Sequence, residues 1–119
     1  MADIRMGPAE TQFAEIIWSN EPIPSGELSK KAADILQWKK TTSFTVLKRL
    51  CERGIFYNCG GIVISLISRD EYFARHSEQY VQDTFGGSLP AFLAAFSSRK
   101  KLNDKEIEEM KKLIESMRG

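Results

Sequence analysis

Four hydroxyl side chains, Thr41, Thr42, Ser43 and Thr45, crowd one short stretch, with the cations Lys39, Lys40, Lys48 and Arg49 on either side. Hydroxyls donate and accept at base edges, and a threonine methyl can touch a thymine methyl. Lysine and arginine hold phosphates and set the register of a protein on a duplex. The chemistry on offer is contact with double-stranded DNA, through Lys39, Lys40, Thr41, Thr42, Ser43, Thr45, Lys48 and Arg49. Two of the surrounding positions keep a second reading. Arg49 either grips a phosphate or forms an ion pair beneath its own element. Phe44 either packs inward or meets a thymine methyl.

The element that must carry these groups runs from Trp38 to Gly54. Val46, Leu47 and Leu50 form one apolar stripe at helical spacing, and Thr41, Thr42, Thr45, Lys48 and Arg49 fall mostly on the other side. Arg53 in the last turn and Gly54 behind it supply the usual helix stop. A helix in the major groove presents its N-terminal residues to bases and its flanks to phosphates. An ordinary amphipathic helix with a solvated polar face has the same pattern.

Net charge over the 119 residues is only +1, but the distribution is uneven. From Lys30 to Arg53 seven cations meet two anions, whereas from Ser68 onward nine meet nine. Positive charge thus concentrates around the proposed reading helix, as a nucleic-acid footprint requires. A composition of 42% apolar and 28% charged residues describes an ordinary globular protein of one domain or two small ones. No apolar run approaches a membrane span and no signal peptide opens the chain, so no membrane insertion is expected. Cys51 and Cys59 make no disulfide framework, and a cytoplasmic protein with reduced thiols is the simplest expectation.

Pro8 suits the first turn of an opening helix whose buried stripe is Phe13, Ile16, Ile17 and Trp18. Pro22 ends it, and Ile23 between two prolines is extended. Ser25 is expected to cap a second helix through Leu36, with Leu28, Ala32, Ile35 and Leu36 facing inward. After Gly54 the period becomes alternating. Ile55 to Tyr57 reads as a strand, Asn58-Cys59-Gly60-Gly61 as a turn, and Ile62 to Ile67 as the returning strand. Three helices and a hairpin, in that order, are a winged helix-turn-helix. Tyr57 and Asn58 would be the wing's contribution to DNA contact.

Ser68 and Glu71 form a capping-box pattern that opens a fourth helix, and Gly86-Gly87 breaks it. Ser88 caps a fifth helix. Asn103 and Glu106 box a sixth that runs to the chain end. The apolar positions are Tyr72, Phe73, Tyr80, Val81 and Phe85, then Leu89, Phe92, Leu93 and Phe96, then Ile107, Met110, Leu113, Ile114 and Met117. About fifty residues cannot bury so much apolar surface alone, so these faces need a partner. A homodimer is the expected solution. The fold class is mainly α with a small β-hairpin wing. Residues 1–67 would be the winged-helix domain and 68–119 a three-helix dimerisation domain.

Taken together, these features resemble the penicillinase-repressor (BlaI/MecI/CopY) family over nearly the whole chain. The opening helix Ala9 to Asn20 is similar to the family's apolar-aromatic first helix. Trp38, Thr42, Thr45, Leu47, Arg49, Leu50, Arg53 and Gly54 match its recognition-helix pattern in unbroken register. The stretch from Phe85 to Phe96 resembles its C-terminal signature, and Leu102 to Ile114 its closing helix. The resemblance implies a dimeric transcriptional repressor of a palindromic operator, often that of a resistance gene. It also implies release by a membrane-bound sensor metalloprotease or by metal binding. The family's cleavage bond aligns with Ala95-Phe96.

Three departures stand out. Thr41 and Phe44 occupy places where the family usually carries basic residues, and Ser43 a place where it is usually apolar. The wing is short and lacks the usual basic tip. Ala95 replaces the asparagine of the β-lactam repressors, and the closing Glu115-Ser116-Met117-Arg118-Gly119 is unlike the cysteine-rich tail of the copper-responsive branch, so copper sensing by that route is not expected. Cys51 is expected at the edge of the core, Cys59 exposed and oxidisable in a turn, and His76 on the fourth helix near the dimer contact. Joining these three as a metal site matches no standard ligand spacing, and no cofactor is expected. With no phosphate-binding glycine loop or nucleophile elbow, the sequence does not read as an enzyme. Two alternatives stand beside the repressor: a winged-helix protein-interaction module without DNA binding, and a cysteine-based redox or metal-responsive regulator.

Overall fold

A computed structural model describes residues 4–118. Its elements, in order, are α1 (Pro8–Asn20), β1 (Ile23–Pro24), α2 (Ser25–Leu36), α3 (Lys40–Glu52), β2 (Phe56–Cys59), β3 (Ile62–Ser65), α4 (Arg69–Phe85), α5 (Leu89–Arg99) and α6 (Asp104–Ser116). The chain divides into two compact units, the first ending at Ser77 and the second beginning at Glu78. The boundary falls inside α4.

The first unit is the winged helix. Phe13, Ile17, Leu28, Leu50, Ile55, Phe56 and Val63 fill its core, as the periodicity of their elements requires. Trp38 stacks on Phe13 with ring centroids 5.1 Å apart. Trp18 lies between Phe56 and Tyr72, and its indole N–H donates to the Ile67 carbonyl at 3.0 Å. The sheet is antiparallel in the order β1-β3-β2, with Ile23 opposite Val63 and Phe56 opposite Ser65. Glu21, just past α1, accepts from the Ser65 backbone N–H and hydroxyl at 2.9 and 2.8 Å. That carboxylate ties the central strand to the end of the first helix.

Several expectations are corrected here. Ser25 does not cap α2: it is the first helical residue, Pro24 holds the cap position, and the Ser25 N–H donates to Gly61 O at 2.7 Å. Ile35 is 63% exposed, because the inward stripe of α2 runs through Leu28 and Ala32 and leaves it at the rim. The hairpin turn is two residues, not four, since β2 continues through Cys59. Gly60 and Gly61 take φ of +58° and +93°, the left-handed pair that suits a tight turn between twisted strands. The returning strand stops at Ser65, because the Leu66 and Ile67 N–H groups both turn back to Ile55 O. Ser68 does cap α4, accepting from Glu71 N, but the Glu71 carboxylate pairs with Arg75 instead of closing the box.

Tyr72, expected at a dimer contact, is 1% exposed inside the winged-helix core, and its hydroxyl accepts from Met6 N at 3.0 Å. Phe73 packs against the same core under the Arg69 guanidinium, 4.8 Å from its ring. His76 stacks on Tyr72 at 5.8 Å, so it too belongs to the first unit. The apolar stripe of α4 changes allegiance along its length, which periodicity alone does not register.

In the second unit the predicted caps form. Ser88 accepts from Ala91 N at 3.1 Å, and Asn103 and Glu106 exchange both bonds of a capping box. Tyr80, Phe85 and Phe92 meet edge-on, with centroids 5.6–6.2 Å apart. None of the described side chains of this unit is buried. Leu89, Phe96, Leu113, Ile114 and Met117 stand exposed, Met117 by 70%.

Candidate nucleic-acid interface

α3 is held to the first unit by Val46, Leu47 and Leu50, and its rotation decides what faces outward. Lys39, Lys40, Thr41, Thr42, Phe44, Thr45, Lys48 and Arg49 are all exposed. Lys39 holds the cap position and offers no side-chain acceptor, so the first-turn N–H groups of α3 remain open to an anion. The Thr45 hydroxyl donates to Thr41 O at 2.8 Å, which commits its proton to the backbone.

Ser43 departs from the expectation of DNA contact. It is 2% exposed, and its Oγ has no hydrogen-bond partner among the described residues. Positions 43, 46, 47 and 50 continue one helical stripe, so the signal for its burial was present, hidden by its polarity. Phe44 points the other way: it is 37% exposed, with the Lys40 ammonium 5.9 Å from its ring centroid.

Arg49 forms the ion pair and keeps an outward face as well. It remains half exposed, while its guanidinium lies 3.8 Å from Glu10 of α1. Arg53 shares that carboxylate at 3.7 Å and donates to Arg5 O at 2.8 Å. The other Glu10 oxygen accepts from Gly7 N, so one side chain ties the start of α1 to the end of α3. Sequence reasoning missed Glu10; an acidic residue in a first helical turn is too common to signal such a role.

On the wing, Tyr57 is exposed, and the Asn58 side-chain oxygen Oδ1 accepts from Gly61 N at 2.9 Å. Asn58 therefore supports the turn first, with only its amide N–H groups left to offer. Tyr57 and Ile64 are paired across the strands, as are Cys59 and Ile62, and all four are exposed without a cation among them. The wing brings apolar surface, not charge.

Cys51 is half-buried at the edge of the core and Cys59 is exposed, both as free thiols. Burial pushes the Cys51 thiol up from its ordinary range; the Asn58 backbone N–H opposes this and Glu52 adds to it. Such a thiol is a poor nucleophile near neutral pH. Ala95 and Phe96 lie within α5, both exposed, so the bond between them is helical. No helix among the described residues is long and apolar enough to cross a membrane.

A family model described as penicillinase repressor matches residues 6–116. A penicillinase repressor from Staphylococcus aureus is 23% identical over 115 residues, which cover 93% of this chain and 91% of that protein.

Proposed function

This chain belongs to the penicillinase repressor family of transcriptional repressors, and we propose that it acts by binding double-stranded operator DNA as a homodimer, with α3 in the major groove. One observation carries this above others. The outward face of α3 gathers Lys39, Lys40, Thr41, Thr42, Thr45, Lys48 and Arg49 beside an uncapped helix start. The cations position the helix on phosphates, and the hydroxyls and Phe44 meet the bases. The second unit supplies the dimer, since its exposed apolar side chains have no cover within one chain. Two copies related by a two-fold axis fit a palindromic operator. Residues 1–67 carry the DNA contact and 68–119 the pairing, with the start of α4 shared.

Release follows cleavage or a ligand. A membrane-bound sensor protease is the partner for the first route, acting at Ala95-Phe96. Because that bond is helical, α5 must unwind locally before a protease cleft can take it.

The test is binding of the full chain to its own upstream intergenic DNA across a salt series, with footprinting. Two symmetric protected half-sites and steep salt dependence are expected. If Lys39, Lys40, Lys48 and Arg49 of both copies all met phosphates, log K would fall against log salt with a slope of about −7, an upper bound. Binding no tighter than to random DNA would favour the interaction-module reading, which the apolar outer face of the wing supports.

A further inference from the structure

We infer that Phe44 reads bases, and that each half-site of the operator holds a thymine whose C5-methyl its ring touches, a proposal that rests on the DNA-binding reading above. Ser43, Val46, Leu47 and Leu50 are all buried, so the rotation of α3 is fixed. Phe44 then stands outward among Lys40, Thr41, Thr45 and Lys48, one helical turn away or adjacent, and keeps 37% of its surface exposed. A phenyl ring neither donates nor accepts a hydrogen bond at a base edge. Guanine, adenine and cytosine present polar groups in the major groove and no methyl for it to cover. The thymine methyl is the apolar group there, and the ring can cover it. The Lys40 ammonium 5.9 Å from the ring centroid brings a cation beside the ring. One lysine thus reaches phosphate next to the base that Phe44 covers.

The experiment uses the full-length chain and duplexes enriched from a random-sequence pool. Each thymine of the enriched site is replaced in turn by deoxyuridine, which removes one methyl and keeps every hydrogen-bonding group. One thymine per half-site is expected to lose about fourfold in affinity, the worth of one buried methyl. Phe44→Ala should bind the thymine and uracil duplexes equally, while Phe44→Leu should retain the difference. If no replacement weakens the wild type, or if Phe44→Ala still discriminates, the assignment is overturned; in the second case the threonine methyls read the base. Sequence-specific binding without uracil sensitivity sinks this inference alone. Failure to enrich any duplex sinks the DNA-binding reading with it.

Discussion

The Tyr72 hydroxyl accepts a hydrogen bond from the Met6 backbone N–H at 3.0 Å, across 66 positions of chain. It fastens the start of α4 to the segment leading into α1. Tyr72→Phe keeps the ring and removes the acceptor, leaving a buried N–H unpaired. The expected cost is about 1–2 kcal/mol, read as a lower urea midpoint with an unchanged slope. An unchanged midpoint would mean that the bond adds nothing in solution.

Ser43 gives a prediction of the opposite sign. Its buried hydroxyl has no partner among the described residues, so Ser43→Ala removes a desolvated polar group and gains helix propensity. Stability should rise by about 0.5–1.5 kcal/mol. Operator affinity should stay as it was, because the side chain faces the core. A loss of affinity without a loss of fold would return Ser43 to the DNA.

Lys48 is exposed on the outward side of α3, the side proposed to meet DNA. Lys48→Ala should weaken binding evenly across sequences and flatten the salt dependence by roughly one unit of slope per protomer. A weakening confined to one base position would instead make Lys48 a base reader.

Ile114 is exposed within the chain, so Ile114→Glu should not disturb folding of a single copy. At a paired interface the same change buries a charge. The mass measured by light scattering should halve, and operator affinity should fall by about a hundredfold or more as the half-sites become unlinked. A mutant that remains dimeric would place the interface elsewhere.

The order of elements was legible because it follows from periodicity and punctuation, both local properties. Ser88 and Asn103 cap where the spacing says, since a capping bond spans only three residues. What escaped depends on distant chain. Ser25 lost its cap role because β1 pairs with β3 and brings Gly61 O to its N–H. Tyr72 looked like any apolar position of a late helix until Trp18 and Met6 closed around it. At the candidate interface the cations and threonines of α3 were legible as an exposed polar face. Ser43 was misassigned because residue type was weighed above position on the stripe. Glu10 was invisible because its partners, Arg49 and Arg53, lie about forty residues away.

The two-glycine tip of the wing also bears on how this protein can evolve. Both tip positions lie in the left-handed region, at +58° and +93°. A lysine or arginine at either would cost roughly 1–2 kcal/mol of backbone strain. A charged tip is thus not one neutral substitution away; it calls for a longer loop. With α3 as the proposed reading helix, adaptation toward tighter or altered operators is channelled onto its exposed positions, where Thr41 and Phe44 can change without moving the backbone.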